Sequence, residues 1–424
     1  MFLKTCGRLA LAALLCGALF PRAWAESEAA PQAGLSLRAA LSRTLQSSPE
    51  LAAYQHVLKA QDGRVTQAGL RPNPTLAVDM ENVLGTGETT GFDEAELTLS
   101  LSQLIEFPAL RERRVAVARH QRDALGIEAH IRRLDAIAET ARRFIAVLAQ
   151  QQAHALTHYA VELAEDTAGA VSKRVAAARS PVAERDRAEV ALERAHSDDA
   201  HAEHQLLAAR YALAASWGAD QPDFERAAAD LFALPEVADY DSLVAALDDT
   251  PDFEAYLSEQ RLRESELRLA LARRNPGIEV GAGLRRFQGT GDTALTFSLG
   301  VPLPFFDRSQ GDAQTARAQS AGAAASRDAA RVRARMELFR HYQELLDRRR
   351  QVRVLRSRAL PLMESALQNT QYAYERGRYS YLELVDAQRE LLDVRASLIE
   401  SATQYQLTLI EIERLTGNGS SRED

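Results

Sequence analysis

Apolar and polar residues alternate one by one in four short stretches of this chain, and recur at helical spacing through most of the rest. From Thr75 to Val83, Leu76, Val78 and Met80 point one way and Ala77, Asp79 and Glu81 the other. From Glu96 to Leu104, Leu97, Leu99 and Leu101 oppose Glu96, Thr98, Ser100 and Ser102. Later, Ile278, Val280, Ala282 and Leu284 oppose Glu279, Gly281, Gly283 and Arg285, and Leu295, Phe297, Leu299 and Val301 oppose Thr296, Ser298 and Gly300. A period of two gives each strand one apolar and one polar face. Each run is about nine to eleven residues, the length a tilted strand needs to cross a bilayer. Gly85-Thr86-Gly87 and Gly289-Thr290-Gly291 turn the runs into two hairpins, at about 75–104 and 276–301.

The remaining pattern predicts helices at about 36–69, 109–178, 181–217, 240–274, 309–376 and 380–416. No proline falls between Ala109 and Ser180, and Ala, Arg, Glu, Leu and Gln, all good helix formers, dominate there. Ala136, Ala138, Ala141, Ile145 and Leu148 form a narrow stripe of small apolar residues. A helix of 60–65 residues reaches about 95 Å and is not stable alone in water, so it must pack as a coiled coil. Pro361 predicts a kink in the second long helix.

These elements come twice. Pro49, Ala53, Tyr54, Asn73 and Pro74 recur 202 positions later as Pro251, Ala255, Tyr256, Asn275 and Pro276. Leu97-Thr98-Leu99-Ser100-Leu101 returns 198 positions on as Leu295-Thr296-Phe297-Ser298-Leu299, and Glu184, Leu192 and Gly218 return at a spacing of 199 as Glu383, Leu391 and Gly417. A period this long is that of a duplicated half-protein, not of a solenoid. The organisation predicted is a leader (1–25), a first repeat (26–217), a linking or equatorial segment (218–239), a second repeat (240–417) and a flexible tail (418–424).

The leader changes the picture. Lys4 and Arg8 precede an apolar run from Leu9 to Phe20, and Ala23-Trp24-Ala25 offers a small-residue cleavage site, the pattern of a secretory signal peptide. Both cysteines, Cys6 and Cys16, lie inside it, so the mature chain would hold no disulfide and no thiol-based metal or redox centre. Its removal takes the net charge from -8 to -11, an acidic balance that argues against a nucleic-acid partner.

No later run is apolar enough for a spanning helix, so a secreted chain of this kind is either soluble or crosses a membrane as strands. Asp79, Glu81, Glu96, Glu279 and Arg285 on the polar strand faces do not suit a packed core but do suit a wet lumen. Four strands cannot close a barrel, because about eight is the smallest number known, and an open edge is not tolerated in lipid. If the strands span a membrane, several copies must pool them, and three copies would supply twelve.

Several motifs now carry a resemblance: Arg71-Pro72-Asn73-Pro74-Thr75-Leu76, Glu81-Asn82, Leu101-Ser102-Gln103-Leu104-Ile105-Glu106, and, most specific, Val301-Pro302-Leu303-Pro304-Phe305-Phe306-Asp307-Arg308-Ser309-Gln310-Gly311. On these the chain resembles the TolC-like outer-membrane channels over essentially its whole mature length, and within them the heavy-metal (CzcC-like) branch. It departs from that branch at Phe107-Pro108-Ala109-Leu110, where a glycine-rich stretch is usual. The resemblance implies a mainly α fold with transmembrane β: a homotrimer with a twelve-stranded outer-membrane barrel continued by a periplasmic α-helical barrel. It implies a passive exit duct of a tripartite, RND-type efflux pump in a Gram-negative outer membrane, for heavy-metal cations of the Co/Zn/Cd or Cu/Ag class. The implied partners are a periplasmic adaptor (a membrane fusion protein), an inner-membrane RND transporter and outer-membrane lipid. Export of drugs or of a polypeptide by type I secretion is the alternative within the family, and a soluble periplasmic coiled-coil adaptor is the rival outside it.

A second signature, Tyr374-Glu375-Arg376-Gly377-Arg378-Tyr379-Ser380-Tyr381-Leu382-Glu383-Leu384-Val385-Asp386-Ala387-Gln388, resembles the family's periplasmic tip. The resemblance makes Tyr374, Glu383 and Asp386 the entrance constriction. It makes Arg376, Gly377 and Arg378, with Ala178, Arg179 and Ser180 of the first repeat, the turns that meet the adaptor. Gly377 would supply a positive backbone angle, and Ala178 stands at the matching position. Glu383 and Asp386 are three apart and share a helix face, so three-fold symmetry would set six carboxylates around the axis; the plainer alternative is a solvated helix face. His201 and His204 with Asp198, and His154 with His158, have spacings that can hold Zn²⁺ or Cu²⁺, yet they sit in charged helical stretches where histidine is an ordinary surface residue. No nucleotide loop, nucleophile constellation or acid/base pair is legible, so neither an enzyme nor a cofactor is expected.

Overall fold

Prolines break the helices at matching places in the two halves. In the computed structural model, which describes residues 34–274 and 277–417, α1 (Leu37–Ser47) stops at Ser48 and α2 (Pro49–Gly69) starts at Pro49. Likewise α5 (Tyr240–Leu247) and α6 (Pro251–Ala272) are parted before Pro251. The residue before proline avoids the helical region, and Ser48 (ψ 121°) and Thr250 (ψ 151°) are extended, while proline itself is well placed in a helix's first turn. The helices expected as continuous over 36–69 and 240–274 are therefore each two helices. The expected leader (1–25), the tail (418–424) and Pro276 lie outside the described residues.

Strands β1 (Thr75–Glu81), β2 (Glu96–Glu106), β3 (Gly277–Phe287) and β4 (Thr293–Gly300) form one antiparallel sheet in the order β1-β2-β3-β4. The two hairpins, separate in sequence, are joined through β2 and β3, with Thr98 opposite Arg285 and Leu99 opposite Leu284. Within this chain β1 and β4 are both edges.

The long helices are α3 (Pro108–Ala176), α4 (Val182–Ala214), α7 (Gln310–Val354), α8 (Leu360–Glu375) and α9 (Tyr381–Thr416). At 69 residues α3 is about 100 Å long. Between α7 and α8 the expected break at Pro361 takes the form of one π turn, Leu355–Ala359, which absorbs the missing proline donor. Away from the sheet, α3 packs on α4 and α9, and α9 on α7 and α8.

The segment 218–239, which sequence reads as a linking or equatorial segment, is a packed belt. Phe224, Ala227 and Leu231 are buried against Phe144, Leu148 and Leu213. Leu35 and Ala227 form a parallel bridge, and the Gln151 amide exchanges hydrogen bonds of 2.7 and 3.3 Å with the Ala227 backbone. The Gln406 amide donates to the Ala233 carbonyl at 2.6 Å, which ties the belt to α9. On the opposite flank Arg414 of α9 bridges Asp135 of α3 (2.6 Å) and Asp252 of α6 (2.7 Å). Those carboxylates raise the Arg414 pKa although burial opposes them.

Both long hairpins turn through the same left-handed cap. Arg179 N–H donates to the Arg174 carbonyl and Ala178 N–H to Val175; in the second repeat Arg378 donates to Ala373 and Gly377 to Tyr374, all at 2.8–2.9 Å. The residue that carries the positive φ is Gly377 (+74°) in one turn and Ala178 (+54°) in the other. A Cβ in this region costs about 1 kcal/mol. Ala178→Gly is accordingly expected to stabilise the first turn by up to about 1 kcal/mol and Gly377→Ala to destabilise the second by a similar amount. Thermal melting of the helical circular-dichroism signal checks both, and an Ala178→Gly protein that melts earlier than the parent would contradict the strain.

Candidate functional site at the sheet and the helical tip

Strand register sorts the alternating residues onto two continuous faces. Val78, Leu99 and Leu284 lie across from one another, as do Leu76, Leu101, Ala282 and Phe297. This face is bare: Leu76, Val78, Leu295 and Leu299 are well exposed and Phe297 is 80% exposed. An apolar face that crosses all four strands, bordered by Arg286 and Thr293 at the turn end and Gln103 at the other, marks an interaction surface, with lipid as one candidate.

The reverse face carries the five residues expected in a lumen. Three of them meet: Arg285 donates to Glu96 at 2.9 Å, lies 3.1 Å from Glu81, and donates to the Thr98 hydroxyl at 2.9 Å. Asp79 precedes Glu81 on the same face of β1, and Glu279 sits at the other end of β3. Between them the side chains are small: Ala77, Ser100, Ser102, Gly281, Gly283, Thr296 and Ser298. At Gly283 a Cβ would come within 2.6 Å of the Leu99 carbonyl, so no larger residue fits without a shift. Bulk on one face and small residues on the other favour a sheet that curls around its polar side.

At the far end the two turns form one tip. Val171, Leu367, Tyr374, Tyr381, Leu384 and Leu391 make its core. Tyr374 is only 1% exposed, so in this chain it belongs to the tip's interior rather than its surface, and its hydroxyl has no hydrogen-bond partner among the described residues. The Arg174 guanidinium lies 4.6 Å from the centre of its ring and donates to its backbone carbonyl at 2.5 Å. Burial pushes the Tyr374 phenol up, and the nearby Arg174 charge works the other way. Arg174 did not stand out in the sequence, although the repeat spacing of 199 puts its neighbour Val175 in register with Tyr374.

Glu383 and Asp386 are both exposed near the start of α9, whose N-cap is Ser380. The Glu383 carboxylate accepts from the Ser380 backbone N–H at 2.6 Å and from its hydroxyl at 2.9 Å, while the Ser380 oxygen caps the Glu383 N–H. This capping box commits one of the two expected entrance carboxylates to holding the helix start. Arg376 (stacked 4.1 Å over Tyr372), Gly377, Arg378, Ala178 and Arg179 are exposed, and Ser180 is half-buried, accepting from Arg174 at 3.1 Å.

The pattern of the outer membrane efflux protein family matches residues 40–219 and 243–418, nearly all of both repeats. The chain belongs to that family. CzcC, the cobalt-zinc-cadmium resistance protein of Cupriavidus metallidurans, is 29% identical over 383 residues, 90% of each chain. Among solved structures, CusC superposes with a TM-score of 0.74 at 16% identity, covering 90% of this chain and 91% of its own. The open-state MtrE outer membrane channel of Neisseria gonorrhoeae gives 0.72 at 17% identity, covering 90% and 89%. The match replaces the soluble-adaptor reading: this is an outer-membrane efflux protein, from a family of transport channels, and its four strands and duplicated helical hairpins are that fold.

In this efflux protein the histidine pairs separate. His201 meets Gln205 at 2.8 Å, and His204 joins no cluster. His154 and His158 of α3 instead face Asp199 of α4, at 3.8 and 3.5 Å, and Thr157 donates to the same carboxylate at 2.8 Å. Burial disfavours the Asp199 carboxylate, but the Thr157 hydroxyl and the two imidazoles hold its pKa below the usual range. Sequence assigned His154 and His158 no carboxylate partner; the way α4 packs against α3 supplies Asp199. Among the described residues no three His, Cys, Asp or Glu side chains sit in metal-holding geometry, and no helix is long and apolar enough to cross a membrane.

The capping box makes the tip acid-sensitive. Hydrogen bonds from the Ser380 backbone and side chain depress the Glu383 pKa. A depressed folded value means the stabilisation is present above the ordinary glutamate range and is lost as pH falls through the folded value. The first turn of α9 should therefore loosen on acidification below about pH 4. Hydrogen exchange over residues 380–385, compared at each pH with Glu383→Gln, checks this; equal acid responses in the two proteins would refute it.

Proposed function

We propose that three copies of this chain close a twelve-stranded barrel in the outer membrane of a Gram-negative bacterium, with β4 of each copy paired to β1 of the next. The observation that carries this is the sheet: one exposed apolar face, one polar face and two unpaired edges. An edge in lipid would leave backbone donors and acceptors without partners, each at a cost of several kcal/mol, and pairing β4 with β1 removes both edges of every copy at once. The apolar face then meets lipid, while Asp79, Glu81, Glu96, Glu279 and Arg285 face water inside.

The cargo we read as heavy-metal cations of the Co/Zn/Cd or Cu/Ag class, carried out through a passive duct. Whole-length similarity to CzcC supports this reading. An inner-membrane RND transporter would supply the energy, and a periplasmic adaptor would dock at the tip turns around Arg376, Gly377, Arg378, Ala178, Arg179 and Ser180. Growth of a deletion strain across zinc, cobalt, cadmium, nickel, copper and silver, beside a panel of organic antimicrobials, tests it. Loss of tolerance confined to metals is expected; loss confined to organic compounds would move the protein to drug export.

At the tip, Glu383 and Asp386 of three copies would ring the entrance and favour cations. Because Glu383 also caps its helix, Asp386→Lys is the cleaner probe. It is expected to lower cation-over-anion permeability in planar-bilayer recordings by a few fold, with Glu383→Lys adding to the effect; unchanged selectivity in the double variant removes the ring.

A further inference from the structure

The loop that leaves β4 holds two phenyl rings in water. Phe306 is 94% exposed and Phe305 is 68% exposed. Yet the loop is braced: Arg308 donates to the Pro304 carbonyl at 3.2 Å, Gln310 to the Phe306 carbonyl at 3.1 Å, and the Ser309 N–H to Asp307 at 2.8 Å. Two prolines, Pro302 and Pro304, stiffen it further. A stiff turn that displays apolar side chains is built for a partner.

Beside the opposite edge of the sheet, just before β1, lies a cavity of about 340 Å³. Pro72, Leu104, Ile105 and Pro108 give it apolar walls, and Arg71 and Arg111 border it. Its one carboxylate, Glu106, is already held by Arg114 through two hydrogen bonds of 2.7 and 3.0 Å. Neither Arg71 nor Arg111 meets an acceptor among the described residues. The cavity thus offers an apolar floor and two uncommitted cations.

Topology brings loop and cavity to the same level. In the antiparallel order β1-β2-β3-β4, Gly300 at the end of β4 and Thr75 at the start of β1 lie at the same end of the sheet. Paired strands lie about 4.8 Å apart, so pairing β4 with β1 of the next copy sets residues 301–307 alongside that copy's residues 71–74. We infer that the Val301–Asp307 loop of each copy docks in the cavity of the next, with Phe305 and Phe306 against Pro72, Leu104, Ile105 and Pro108, and Asp307 between Arg71 and Arg111. The occupant is a second copy of this chain, and the inference rests on the β4–β1 pairing proposed above. Charge complements charge, apolar surface complements apolar surface, and the contact continues the strand interface beyond its last backbone hydrogen bond.

The test uses cysteine pairs in the full-length protein, in which Cys6 and Cys16 are the only native cysteines and are replaced by serine. Phe306→Cys with Ile105→Cys, oxidised in detergent, is expected to give cross-linked dimers and trimers on denaturing gels, while each single variant gives none. Separately, Asp307→Arg should lower the temperature at which the oligomer falls apart, and adding Arg111→Asp in the same chain should restore it. Light scattering in detergent reports the assembly itself. A trimer without the cross-link and without charge-swap rescue overturns the docking and leaves the barrel standing; a monomer overturns both.

Discussion

Unpaired backbone is the constraint from which the rest of this molecule follows. A four-stranded sheet with a bare apolar face is tolerable in lipid only if its two edges vanish, and one chain cannot make them vanish. The register leaves no freedom in which face goes where. A slip of one residue between β2 and β3 would put Arg285 and Glu96 among the leucines, and the Arg285, Glu96, Glu81 and Thr98 cluster therefore pins the alignment that the pleat requires. Small residues on that polar face then set the direction in which the sheet can curl.

The helices face the same problem in another form. A helix of 69 residues has a long side to bury, and no single neighbour runs its whole length. It is met in sequence by α6 and α2 toward the sheet, by the 218–239 belt and α9 in the middle, and by α4 and the tip core at the far end. Charged clamps such as Arg414 with Asp135, and Arg142 with Glu411, fasten the second repeat to the first at 2.6–2.7 Å, while Arg414 with Asp252 ties α9 to α6 within the second repeat.

Much of this was legible in the residues. Alternation in period two located all four strands and both faces, because side-chain direction in a strand is fixed by parity alone. Duplication gave the order of elements, and a glycine at 377 announced a positive φ that the structure has at +74°. What escaped was whatever depends on two distant segments meeting. The helix breaks at Ser48 and before Pro251 were written in the prolines, because the residue before proline is held out of the helical region. The segment 218–239 was legible as a linking or equatorial segment, but not its contacts, because its residues are fixed one at a time, by Gln151, Gln406 and the Leu35 bridge. Asp199 meets His154 and His158 across two helices, a pairing that no local pattern encodes. At the tip, Tyr374 could be placed near an entrance by likeness, whereas its burial under Arg174 could be known only once the ends of α3 and α8 met.

That burial constrains how the tip can move. Each turn is closed by its own backbone cap, α9 is started by a capping box, and Arg174 joins α3 to α8 through both the ring and the carbonyl of Tyr374. No loose loop remains between them, so a displacement of one turn carries the other with it. Bending is then cheapest where the helical hydrogen-bond ladder is already irregular, at the π turn Leu355–Ala359 just before Pro361, roughly two dozen Å of helix from the tip. With both turns capped and joined through Arg174, any change in the angle of this hairpin is cheaper at Leu355–Ala359 than in the tip itself.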